Sequence, residues 1–155
     1  MQFEQNTEDP NSVIANTGKM IQNFGVVEYI SLRWIGVLTG NEDAVNIAME
    51  LTLATRIKVV VKLIETKNKF NENTKSSALK LWKELLNDGL PKRNIVAHGM
   101  LVTKKDINGA ILNQGPLKIK KWTDSDELMT HEELANTVTV TKNIIVELEK
   151  ILKCV

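Results

Sequence analysis

From Val13 to Leu38 the chain repeats an apolar residue every three or four positions: Val13, Met20, Ile21, Phe24, Val27, Ile30, Trp34 and Leu38, with Thr17 filling the remaining place. This spacing puts the set on one stripe of an α-helix about seven turns long, and such a stripe must be covered by other helices. Asp9-Pro10 reads as the start, because Asp9 can cap unpaired N–H groups and proline suits the first helical position. Gly18, Gly25 and Gly36 interrupt the stripe and predict close packing or a bend. Thr39-Gly40-Asn41 ends it: Gly40 can take the left-handed conformation and Asn41 can cap the next helix.

The same reasoning predicts a second helix over Glu42–Lys67, with acids in its first turn and lysines near its end. Val59-Val60-Val61 is β-prone, but the helical period persists on both sides of it. A third helix is predicted over Thr74–Asn87, ended by Asp88-Gly89, and Pro91 is placed to begin a short fourth. Met100–Lys105 and Leu117–Trp122 show partial alternation around a Gly-, Asn- and Pro-containing stretch, which predicts a small hairpin or extended excursion at about 100–122. Thr130-His131-Glu132-Glu133 is a capping box, and the last helix runs from it to about Lys153. The chain therefore reads as mainly α, one domain of four to five helices over residues 1–155, with residues 1–8 a frayed tail.

Cys154 is the single cysteine, so an intramolecular disulfide and a cysteine-based zinc site are excluded, and a reducing, cytoplasmic setting is expected. No secretory signal is read at the polar, acidic start, and no apolar run approaches the ~18 residues of a membrane span. Charge is spread unevenly. Leu53–Trp122 holds fifteen Lys/Arg against five acids, a net of +10, which leaves −9 for the rest of a chain whose total is +1. Such asymmetry fits a polyanionic partner, and equally a lysine-rich surface balanced in space by the acidic ends.

At the centre of the basic segment stands Arg93-Asn94-Ile95-Val96-Ala97-His98-Gly99, with one of three arginines and one of two histidines. On a helix Asn94 and His98 share a face, whereas Arg93 lies about 140° from His98, so its long side chain must come round to meet them. The residue types suit phosphoryl chemistry. A histidine can take or give a proton near neutrality, and a guanidinium can bind phosphate oxygens bidentately and stabilise the crowded phosphorus. Asn94 can orient the imidazole or donate to a phosphate oxygen, and a helix start at Pro91 would add oriented N–H groups. Together they could promote attack of an RNA 2′-hydroxyl on the adjacent phosphate without a metal. The structural alternative is that Arg93 pairs with a carboxylate while His98 caps or packs against a neighbouring helix.

The heptapeptide resembles the R-x4-6-H signature of the HEPN superfamily (higher eukaryotes and prokaryotes nucleotide-binding), including the polar residue, here Asn94, directly after the arginine. The layout of long helices before the motif and one closing the chain is similar as well. The resemblance implies a HEPN-like antiparallel helical bundle that forms a homodimer, with two motifs facing across a shared cleft. It implies a metal-independent endoribonuclease with no cofactor, of the kind found in toxin–antitoxin and antiphage defence systems, so the expected partners are an RNA substrate and an antitoxin or defence-system protein. By carry-over Arg93 and His98 would be catalytic and Asn94 supportive. The lysine-rich excursion at 100–122 departs from the minimal bundle, and some members of the superfamily lack nuclease activity. The alternative is therefore a non-catalytic helical dimer that binds RNA, a nucleotide or a protein.

Further residues join this picture. Lys92, Lys118, Lys120 and Lys121 can grip phosphates, and Trp122 can stack on a base at the end of that basic run. Glu28 and Tyr29 can approach the cleft, Glu28 pairing with Arg93 or Arg56 or else standing as a helix-face carboxylate. Trp34 and Trp82 fall at core spacing, and His131 at the surface in the first turn of the last helix.

Overall fold

The computed structural model describes residues 13–102, 118–121 and 128–154. The expectations for residues 1–12, including the tail and the Asp9-Pro10 start, fall outside them, as does Trp122. The architecture is a helical bundle with a small sheet at one end. Helix α1 (Val13–Thr39) is followed by α2 (Glu42–Met49), α3 (Leu53–Thr66) and α4 (Glu72–Glu84). A π turn (Leu85–Gly89) leads directly into α5 (Leu90–His98), and α6 (His131–Leu152) closes the bundle. Strands β1 (Gly99–Val102), β2 (Lys118–Lys121) and β3 (Leu128–Thr130) lie in that order, with both neighbouring pairs antiparallel. In the excursion expected at about 100–122, Gly99 stands opposite Lys121 and Val102 opposite Lys118, while 103–117 lie outside the described residues.

Helix α1 is the axis of the fold and packs against α2, α3, α5 and α6. Its buried residues Met20, Phe24, Val27, Ile30, Trp34 and Leu38 meet Ile57, Val60 and Ile64 of α3 and Leu134, Leu148 and Leu152 of α6 in one core. Trp34 stacks on Phe70 at 5.6 Å between ring centroids and meets Trp82 edge-on at 5.8 Å. Both tryptophans are fully buried core residues. Asn23 Nδ2 donates to the Val138 carbonyl at 3.1 Å, which ties α1 to α6. Ile21 departs from the predicted stripe and is exposed. Gly40 is left-handed, with φ of 63°, and its N–H closes α1 on the Gly36 carbonyl at 2.7 Å. Close approach is seen at Gly36, where a Cβ would meet Val45 of α2 at 3.3 Å, whereas Gly18 and Gly25 face open space.

Two boundaries differ from the sequence expectation. The predicted helix 42–67 is broken at residues 50–52. Thr52 caps α3 by accepting from the Thr55 N–H at 3.3 Å, and Arg56 takes over the carbonyls that the break leaves open. The buried Arg56 guanidinium donates to the carbonyls of Ala48 (3.0 Å), Leu51 (3.0 Å), Met49 (3.5 Å) and, across the bundle, Glu28 (3.3 Å). A cation at the C-terminal end of α2 also interacts favourably with the negative end of that helix's dipole. The second correction concerns Asp88-Gly89 and Pro91, which do not separate two helices. Asn71 caps α4 through the Thr74 N–H at 2.9 Å, and the helix then passes through the π turn, where the Leu90 N–H reaches back to the Leu85 carbonyl. The wider turn accommodates the missing N–H and the ring of Pro91, so the chain continues as helix. Gly89 serves packing, because a Cβ there would meet Phe24 Cζ at 3.3 Å.

The Thr130 capping box is present in both directions: Glu133 N–H donates to Thr130 Oγ1 at 3.1 Å and Thr130 N–H to Glu133 Oε2 at 2.7 Å. His131 corrects another expectation. It is half-buried rather than a surface residue, with Nε2 3.4 Å from Nδ2 of the buried Asn16 of α1.

Candidate functional site

The motif occupies α5, carried by the continuous α4–π turn–α5 helix and backed by α1 and the sheet. Leu90, Ile95 and Val96 are its buried anchors. The helix start expected at Pro91 is therefore not found, since α5 continues directly from the π turn and the Leu90 N–H bonds back to the Leu85 carbonyl.

Arg93 is half-buried, and its Nη1 donates to Asn94 Oδ1 at 3.1 Å. Asn94 sits 100° further round the helix on the face it shares with His98, so this bond draws the guanidinium part of the way that the Arg-x4-His spacing requires. Asn94 thus holds the arginine and not the imidazole. Among the described residues Arg93 has no carboxylate partner, and its Nε is shielded from solvent without a hydrogen-bond acceptor. A buried unmet donor costs about 1–3 kcal/mol and calls for an explanation in strain, catalysis or a ligand. His98, the last residue of α5, is exposed, and among the described residues it bonds to neither Arg93 nor Asn94. The structural alternative for the pair, a salt-bridged arginine and a packed histidine, is not realised among these residues.

The remaining candidates separate. Lys92 Nζ is 2.8 Å from Asp88 Oδ2 one turn back, an exposed pair that competes with any phosphate. Lys118 and Lys120 stand in β2 opposite Thr130 and Leu128 of β3, and Lys121 stands opposite Gly99, the residue after His98. Glu28 makes no ion pair with Arg93 or Arg56 among the described residues; Arg56 takes its backbone carbonyl instead. Tyr29 is exposed on α1, with the Arg33 guanidinium 5.9 Å from its ring.

Sequence reasoning gave Arg56 no role beyond a pairing with Glu28. The signal for its burial was its place on the row Arg56–Val60–Ile64, where a charged residue lies on the core face. An open groove of about 510 Å³ between α4 and α6 is lined by Thr74, Ser77, Lys80, Glu84, Glu147 and Ile151 among others, and includes no residue of the motif. Among the described residues no three His, Cys, Asp or Glu side chains are grouped to hold a metal ion, and no helix is long and apolar enough to cross a membrane. Comparison of the chain with protein-family models, curated proteins and solved structures returned no match.

Proposed function

We propose that the chain is a HEPN-type, metal-independent endoribonuclease that acts as a homodimer, with Arg93 and His98 catalytic and Asn94 positioning the arginine. The observation that carries this reading is an arginine that has no acid partner among the described residues and is bonded to Asn94, on the face it shares with an exposed histidine. A guanidinium with no carboxylate to displace among the described residues is suited to a phosphodiester, and an exposed imidazole is open to substrate. In the reaction His98 takes the proton of an RNA 2′-hydroxyl as that oxygen bonds to the adjacent phosphorus. The bond from phosphorus to the 5′-oxygen breaks, and the leaving oxygen is protonated. Arg93 stabilises the charge on the phosphorus-bound oxygens. The products are a 2′,3′-cyclic phosphate and a 5′-hydroxyl. A single motif supplies one imidazole, so a second copy's motif across a shared cleft would provide the acid. A cytoplasmic role in toxin–antitoxin or antiphage defence, with an antitoxin or defence-system protein as partner, goes with this activity.

The test is incubation of the purified protein with total RNA and tRNA in EDTA. Cleavage to cyclic-phosphate ends is expected, and Arg93→Ala and His98→Ala should each abolish it while leaving the circular dichroism spectrum unchanged. Variants that cut as well as the parent would remove the catalytic assignment. The absence of any bond between His98 and the Arg93–Asn94 pair favours one alternative, a non-catalytic HEPN-like dimer that binds RNA, a nucleotide or a protein. That reading predicts binding without turnover, whether or not His98 is present.

A further inference from the structure

The lysines that sequence reasoning assigned to the substrate lie on β2 and at Lys92, but the bundle places a different pair level with the π turn that leads into the motif. Lys83 Nζ of α4 is 3.4 Å from Glu65 Oε1 of α3, which fixes how these two neighbouring helices lie side by side. Five residues join them, so they run antiparallel. On α3, Lys58, Lys62 and Glu65 fall on one stripe, seven residues from first to last, and all three are exposed. Going back along α3 from Glu65, Lys62 and Lys58 stand about 4.5 and 10.5 Å further along the axis, in the direction in which α4 advances toward α5. That is the level of the π turn, against which α3 packs. Both lysines therefore stand level with the segment that leads into Arg93.

Two of the acids at this level are engaged, and a third, Glu84, lines the groove toward α6. Glu65 is bridged to Lys83, and Asp88 to Lys92. Arg56, the other cation on this part of α3, is buried and spent on backbone carbonyls. Among the described residues Lys58 and Lys62 make no ion pair, so they stand as exposed, uncompensated cations level with the π turn that precedes the motif helix.

We propose that Lys58 and Lys62 are the phosphate-binding edge of the site, holding the backbone of a single-stranded RNA beside the π turn so that one phosphodiester reaches Arg93 and His98. This rests on the reading of the chain as an RNase. It assigns the backbone contacts to α3, with Lys92 held by Asp88. Two lysines at a spacing of one helical turn make electrostatic contacts without reading a base, so they set affinity and salt dependence and leave sequence preference unchanged.

The experiment uses a short 2′-O-methyl oligonucleotide, which has no 2′-hydroxyl to react, and follows binding to the full chain by fluorescence anisotropy over a series of KCl concentrations. The Lys58→Ala/Lys62→Ala variant should bind more weakly for every oligonucleotide sequence, and the slope of log K against log[KCl] should fall in magnitude by about 1.4, the release expected for two phosphate contacts on a single strand. Lys58→Arg/Lys62→Arg should retain the parent's slope. Lys142→Ala/Lys153→Ala, an exposed pair on or beside the end of α6, should leave it unchanged. An equal loss in the α6 pair would mean that only net charge matters, and an unaltered slope in the α3 pair would mean that the lysines touch no phosphate; either result overturns the assignment. The RNase reading is judged separately by cleavage in the parent and its loss in His98→Ala. If that stands while the α3 pair has no effect, only the lysine assignment falls; if the parent neither binds nor cuts RNA, both fall.

Discussion

Replacing Arg56 by Met tests whether the corner between α2 and α3 is held by a buried cation. Methionine is unbranched and flexible, so it can fill most of the space and removes all the donors. Two of the four bonds, to Ala48 and Leu51, are 3.0 Å long, and the other two, at 3.3 and 3.5 Å, are weaker. Hydrogen bonds to a charged group contribute about 1.5–3 kcal/mol each. Counting only the two short bonds at the lower end, because burying the guanidinium itself has a desolvation cost, gives a loss of about 3 kcal/mol. For a domain of this size that corresponds to a fall in Tm of about 6–12 °C. Urea unfolding followed by the fluorescence of the buried Trp34–Trp82 pair measures the loss directly, and an unchanged m-value would show that the folded state keeps its compactness. Arg56→Lys should recover only part of the loss, since a single ammonium cannot span four carbonyls on two elements. If Arg56→Met lies within about 0.5 kcal/mol of the parent, the range of an ordinary surface change, the clamp argument is wrong.

Other outcomes rest on the same packing. Trp82→Ala removes one partner of the edge-on aromatic pair in the core and should destabilise the chain by about 3–5 kcal/mol in the same titration. Thr130→Ala breaks the reciprocal capping box and should cost about 1 kcal/mol, and Thr130→Ser should restore most of it. Asn94→Ala releases the Arg93 guanidinium; a charge-assisted bond of about 1.5–3 kcal/mol, expressed in the transition state, would lower RNA cleavage at least tenfold. Because the two side chains act as a unit, Asn94→Ala made in an Arg93→Lys background should cost less than it does in the parent. Full additivity of the two losses would show that Asn94 acts on something other than Arg93.

The parts of the molecule legible in the sequence are those whose cause lies within one turn of the chain. The end of α1 at Gly40, the caps at Asn41 and Thr130, and the core periodicity of α1 and α6 each depend on residues at most four apart, so a linear pattern suffices. The Arg-Asn-x-x-x-His pattern was equally visible, because it is a matter of spacing. What it does in space was not. Whether Arg93 would meet a carboxylate, the imidazole or Asn94 depended on its rotamer and on the helices around it, and the outcome was Asn94.

The tertiary structure alone decided the rest, and for one physical reason: buried backbone groups must find partners, and these came from distant parts of the chain. The break at residues 50–52 is stable because Arg56 reaches the α2 carbonyls and, 28 residues away, the carbonyl of Glu28. The helix survives Pro91 because the π turn shifts the hydrogen-bond ladder by one residue, and Gly89 lets that turn lie against Phe24 of α1. The level of Lys58 and Lys62 beside the π turn comes from the antiparallel register of α3 and α4. By itself the sequence determined the helical periodicity of the bundle and the Arg-Asn-x-x-x-His spacing on α5. Packing determined which cations hold the fold, as Arg56 does, and which are exposed without an ion pair among the described residues, as Lys58 and Lys62 are.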